Sequence, residues 1–135
     1  MSPPSFLAAS LNVALGGGLG AWLRFVTGRL WTLAIGPIAA SAFPWATLTV
    51  NVLGSFAMGA LAGWLARQGQ HGESFRLLLG VGVLGGYTTF SAFSLEFALF
   101  VERGDLAQAA LYVATSLVAG FAALFAGLAL MRAVA

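Results

Sequence analysis

Residues 85–94 read Gly85-Gly86-Tyr87-Thr88-Thr89-Phe90-Ser91-Ala92-Phe93-Ser94, a glycine pair followed by a dense hydroxyl cluster and two phenylalanines three residues apart. The run lies near the middle of the longest hydrophobic stretch of the chain. Lipid offers no hydrogen-bonding partner, so such residues belong at membrane depth where they are buried in protein or line a polar path. The glycine pair permits a break in a spanning helix, and with it the release of backbone carbonyls. Freed carbonyls in a dry interior need a partner, and a cation is one candidate.

Composition fixes the context. Of 135 residues, 60% are apolar and 7% charged, with a mean hydropathy of +0.95, far outside the range of water-soluble globular domains. The sequence therefore predicts an all-α integral protein of the lipid bilayer. At about 20 residues per span there is room for four helices and for no separate soluble domain. The absence of cysteine excludes disulfides and thiolate metal sites. The net charge of +2 rests on arginines, too few and too scattered for a nucleic-acid surface.

The four spans are expected at about residues 6–26, 45–66, 77–101 and 106–131, in a single transmembrane domain covering residues 1–135. Trp45 and Trp64 lie 19 residues apart, about 28 Å along a helix, and read as interfacial anchors on opposite faces of the bilayer. Residues 27–44 form a long first connection, 67–76 a polar loop and 102–105 a tight turn. Nothing basic precedes the glycine-rich first span, which argues against a cleaved signal peptide. Four spans put Arg67, Arg76 and Arg132 on one side and Arg24, Arg29 and Arg103 toward the other. Orientation follows the excess of basic residues in short flanks, so this three-to-three tie predicts insertion both ways. Dual insertion would allow an antiparallel homodimer, forming between two chains the inverted repeat that many transporters carry within one.

Polar residues recur at helical spacing inside the spans. In the second, Thr47, Asn51, Ser55, Gly59 and Gly63 fall every four residues on one face. Gly59 and Gly63 read as a helix-packing seam, whereas the Asn51 amide is either interhelical glue or an anion contact. The fourth span repeats the spacing with Gln108, Tyr112, Ser116 and Gly120, either a packing face or a polar track. In the third, Phe90, Phe93, Phe97 and Phe100 form a stripe beside Thr88, Thr89, Ser91 and Ser94. Phenyl edges carry partial positive charge and can face an anion without holding it tightly. Glu96 is a partner for Arg103, a helix cap or an acid that touches a permeating ion or proton. Arg24 is a snorkelling end residue or a source of positive potential at a pore mouth. Gly80, Gly82 and Gly85 spell a G-x-G-x-x-G pattern, but no strand precedes them and no acid is placed for a ribose. His71 stands alone in a polar loop and reads as solvated. No nucleophile–base arrangement is present.

The stretches Gly20-Ala21-Trp22-Leu23-Arg24-Phe25, Thr47-Leu48-Thr49-Val50-Asn51-Val52-Leu53-Gly54-Ser55-Phe56 and Gly85 to Glu96 together resemble the Fluc/CrcB fluoride channels over essentially the whole chain. The third stretch is the most specific. The resemblance implies a dual-topology antiparallel homodimer in the bacterial inner membrane, with two fluoride pores exporting cytoplasmic fluoride passively. It also implies a central structural sodium ion held by carbonyls from a break in the third helix of both subunits. Carried over by motif, the sodium carbonyls belong to Gly85 and Thr88, the phenyl edges to Phe90 and Phe93, and the amide donor to Asn51. Thr89 falls within the same motif on the fluoride pathway. Tyr112 and Ser116 match the start of the fourth-helix hydroxyl track, Arg24 the first-helix arginine and Glu96 the glutamate after the aromatic motif. Ala92 stands where the family usually shows threonine, and Gly120 takes a hydroxyl position. A proton-coupled small multidrug transporter would need an acid in its first helix, and residues 6–26 hold none. A non-transporting assembly subunit would explain the glycine seams but not Asn51 or the Thr/Ser/Phe run.

Overall fold

A computed structural model describes residues 4–134, apart from the side chains of Gln70 and His71; the reading of His71 as a solvated side chain therefore lies outside the described residues. Four helices are long and apolar enough to cross a membrane: Phe6–Ile35, Trp45–Leu65, Glu73–Glu102 and Leu106–Ala133. No strand occurs among the described residues.

Helix α1 (Phe6–Ile35) starts at Ser5, whose hydroxyl accepts the Ala8 N–H. It runs nine residues beyond its expected end at 26. The hydroxyls of Thr27 and Thr32 are satisfied within the helix by the Leu23 and Gly28 carbonyls, so neither competes with it. Gly36 stops it with a φ of 83°, and Pro37 opens the short α2 (Pro37–Ala42). The expected long loop is thus mostly helical. At 30 residues α1 is about 45 Å long and exceeds a bilayer core of about 30 Å, so it must tilt or project.

Helix α3 (Trp45–Leu65) leads through a 3₁₀ turn (Gly69–Gly72) into the third span, which has four parts. These are α4 (Glu73–Phe75), a wider π-helical stretch (Arg76–Leu84), α5 (Gly85–Tyr87) and α6 (Phe90–Glu102). Thr88 and Thr89, between the last two, have extended backbones. A turn at Gly104 (φ 76°) then delivers α7 (Leu106–Ala133), capped by the Asp105 carboxylate on the Gln108 N–H.

Two glycine seams assemble these helices. A side chain at Gly59 or Gly127 would run into the backbone of the facing helix at Leu124 or Phe56, so α3 and α7 touch main chain to main chain. The same holds for Gly16 and Gly20 of α1 against Gly82 and Gly86 of the third span. Lipid tails supply no hydrophobic drive between helices, and close backbone approach of this kind replaces it with van der Waals packing. The packing role expected of Gly59 and Gly63 is thereby accounted for. Val50, Phe100, Ala109 and Tyr112 are the buried hydrophobics among the described residues, while most large apolar side chains face outward. That exposure suits a chain whose outer surface meets lipid or another subunit.

Candidate functional site

The glycine pair does not itself interrupt the third span. Gly85–Tyr87 is a helical turn, and Gly86 lacks a side chain because its Cα side lies against the α1 backbone at Gly17 and Ala21. Two residues with extended backbone, Thr88 and Thr89, follow it. Thr88 bonds the Leu84 carbonyl with both its N–H (3.0 Å) and its hydroxyl (2.8 Å). Asn51 then captures the next peptide: its Oδ1 accepts the Thr89 N–H at 2.8 Å and its Nδ2 donates to the Thr89 carbonyl at 3.0 Å. In an unbroken α-helix the Thr89 N–H would bond the Gly85 carbonyl. Asn51 diverts it. The Thr89 side chain in turn caps α6 by accepting the Ala92 N–H.

Asn51 therefore serves as interhelical glue, yet only one of its two N–H bonds is used this way among the described residues. It lines a cavity of about 280 Å³ with Ser55, Thr88, Thr89, Phe90 and Leu124. Arg24 reaches the back of this group, its Nη1 donating to the Thr88 carbonyl at 3.1 Å. The guanidinium is thus bound to the extended segment.

Glu96 organises a second cluster. Thr47 donates to its Oε1 and Tyr112 to its Oε2, both at 2.6 Å. Of the alternatives for Glu96, a pairing with Arg103 is absent, since Arg103 donates instead to the Leu99 carbonyl and lies over the Phe100 ring. The hydroxyls of α3 and α7 are closer to the carboxylate and already saturate one lone pair on each oxygen. Phe93 packs on the Tyr112 ring at 5.0 Å and on Phe90 at 5.8 Å, so the phenyl pair bridges the two clusters.

Helices α3 and α7 run in the same direction, and their seam fixes their register. Gly59 meets Leu124, and the position of a side chain at Gly120 would lie 3.7 Å from the Ser55 hydroxyl. The same register places Ser116 at the level of Asn51 and Tyr112 at the level of Thr47. Two polar stripes thus face each other. Within them the Ser116 hydroxyl is buried and has no partner among the described residues. An unsatisfied buried hydroxyl calls for a ligand, water or ion. No group of three or more potential His, Cys, Asp or Glu metal ligands exists among the described residues.

Sequence reasoning placed Thr47 on the polar face but did not assign it to Glu96. It also missed Phe43, whose ring packs on Trp45, Phe100 and Tyr112 and closes the end of the second cluster. Phe43 sits in a connection without periodicity, so nothing in the local pattern marks it.

Facing polar stripes, a diverted peptide and an unpaired buried hydroxyl thus come together between α3, α6 and α7. Comparison with known proteins agrees with a membrane channel setting for them. The chain is 62% identical over 129 residues to the fluoride-specific ion channel FluC of Novosphingobium aromaticivorans, covering 96% of this chain and all of that one. It is 56% identical over 122 residues to FluC of Rhodospirillum centenum, covering 90% and 94% of the two chains. With FluC of Erythrobacter litoralis the identity is 54% over 131 residues, covering 96% and 95%. The profile of the family described as CrcB-like protein, Camphor Resistance (CrcB), matches residues 11–128, which take in every residue of both clusters, and the chain belongs to that family.

Proposed function

We propose that this protein is a fluoride-selective channel of the bacterial inner membrane, conducting passively through two pores of an antiparallel homodimer. The observation that carries the reading is the buried, unpartnered Ser116 hydroxyl between the Asn51 amide and the Tyr112–Glu96 cluster. Fluoride is small, strongly hydrated and a good hydrogen-bond acceptor. An amide N–H, a hydroxyl and the positive edges of Phe90 and Phe93 can replace its water in stages, none holding it deeply. The names of the relatives point the same way. Phe90 is 79% exposed on a single chain although it lines the Asn51 cavity, which supports a second subunit covering that side. The test is efflux from liposomes holding purified protein, with chloride as control. High chloride flux, or no fluoride flux, overturns the assignment.

The near balance of arginines between the two ends of the spans supports dual insertion. Tags at the C-terminus of the protein in cells are expected to react from both sides of the membrane in comparable amounts. Labelling from one side alone excludes the antiparallel dimer.

A structural sodium ion fits one of its two candidate ligands well. The Gly85 carbonyl has lost its usual helical donor to Asn51, and so has a lone pair free for a cation. The Thr88 carbonyl already accepts from the Arg24 guanidinium, and could add only its second lone pair beside a fixed positive charge. Bound there, sodium would neutralise carbonyl dipoles and hold two subunits together. A Cβ added at Gly85 would lie 3.7 Å from the Gly80 carbonyl oxygen, ordinary van der Waals contact, so Gly85→Val is expected to fold as a subunit. Its fluoride flux should nevertheless fall severalfold, as should that of the parent after sodium depletion. Unchanged flux and thermal stability in sodium-free buffer would show the carbonyls to be satisfied by protein or water.

A further inference from the structure

We propose that the cavity between the α2–α3 connection and the end of α6 is an anion-recruiting mouth, where Arg103 concentrates small monovalent anions ahead of the Glu96–Tyr112 cluster. The inference rests on the channel reading above. The cavity holds about 180 Å³ and is lined by Ala40, Ser41, Pro44, Glu96, Phe100 and Arg103, with Leu99. It opens at the end of the bundle where α1 and α6 finish and α3 and α7 begin.

Arg103 is held in place without being used up. Its Nε donates to the Leu99 carbonyl at 3.0 Å, and its guanidinium carbon lies 5.0 Å from the centre of the Phe100 ring. The first contact also sets a cation at the C-terminus of α6, where the helix dipole favours it. Neither contact engages the two terminal nitrogens, which have no acceptor among the described residues. Arginine stays charged throughout the physiological range, and its planar fork presents these donors together.

The surroundings make that charge consequential. Glu96 shares the cavity, and an ionised carboxylate there repels an entering anion. Its oxygens are held by Thr47 and Tyr112, and it makes no direct ion pair with Arg103. The Ser41 hydroxyl donates to the Ile38 carbonyl, which leaves Arg103 as the source of free side-chain donors in this lining. Glu102 and Asp105 lie nearby on the turn but do not line the cavity, and Asp105 is occupied capping α7. Arg29 is exposed at the same end and does not line it either. Removing Arg103 would turn a mixed mouth into an acidic one.

The test compares fluoride efflux from liposomes containing the parent, Arg103→Gln, Arg103→Lys and Arg29→Gln proteins. Each is measured at about 0.01 M and about 1 M of a salt with a bulky impermeant anion, conditions whose screening lengths are about 30 and 3 Å. Arg103→Gln is expected to be about three- to tenfold slower than the parent in low salt and within about twofold in high salt. Arg103→Lys should keep most of the parent rate. Arg29→Gln removes the same charge from the same end, with the same effect on insertion, and should match the parent. The proposal is overturned if Arg103→Gln matches the parent in low salt or loses equally in both salts. It is also overturned if Lys fails as badly as Gln, or if Arg29→Gln loses as much. A parent protein that passes no fluoride overturns the channel reading and this proposal together. A conducting parent indifferent to Arg103 overturns this one alone.

Discussion

Asn51→Asp is expected to slow fluoride efflux more than Asn51→Ala, each by roughly ten- to a hundredfold, the range that follows from losing a hydrogen bond of about 1.5 to 3 kcal/mol to a charged group at the barrier. The order of the two variants matters more than the size. Asn51 does two jobs that aspartate separates. It brackets the Thr89 peptide, accepting the N–H and donating to the carbonyl, and it keeps a second N–H toward the cavity. Alanine loses everything and lets the Thr89 N–H return to the Gly85 carbonyl. Aspartate can still accept the Thr89 N–H and so preserves the diverted peptide better than alanine does. If Asn51 were only a bracket, aspartate would be the milder change. It is expected to be the harsher one, because it sets a carboxylate against the Thr89 carbonyl and beside the permeating anion. Efflux and thermal stability measured on both proteins decide the matter. An aspartate variant that conducts as fast as the alanine variant removes Asn51 from the pathway.

Which parts of this molecule could be read from the sequence follows from what each residue depends on. Four spans were legible because apolar composition and length act locally. The i+4 stripes of α3 and α7 were legible too, since a helix converts spacing into a face. The true end of α1 was not. Residues 27–35 mix Thr27, Gly28, Arg29 and Thr32 with apolar residues, and the helix runs through them to Gly36 with both threonine hydroxyls bonded inside it. The extended backbone of Thr88 and Thr89, just after the glycine pair, was not legible in detail, because its bonding involves Asn51, 38 residues away in the chain. The hydroxyl partners of Glu96 were not legible for the same reason. Arg103 is near it in sequence, while Thr47 and Tyr112 meet it only once three helices have packed.

Gly127→Val is expected to abolish folded protein, while Gly18→Ala on α1 should leave it intact. Both glycines sit in helices, where alanine is favoured over glycine by about 1 kcal/mol, so helix propensity argues for replacing either. The difference lies in what a side chain would meet. At Gly127 it would collide with the backbone of α3 at Phe56 and Ala60, whereas at Gly18 nothing lies within 4 Å. A clash with a flexible side chain costs about 1 to 3 kcal/mol and is relieved by rotation, but main chain cannot rotate away. α3 and α7 would have to separate along their length, moving Leu124 from Gly59 and opening the stripe that holds Ser116. Because close approach is what drives association of helices in lipid, the seam has no second source of stability to draw on. Size-exclusion elution and thermal stability in detergent provide the measurement. A Gly127→Val protein that elutes and melts like the parent would show that the α3–α7 contact is not needed for assembly. Loss of assembly in Gly18→Ala would instead reveal that the open face of α1 is covered by a partner rather than by lipid.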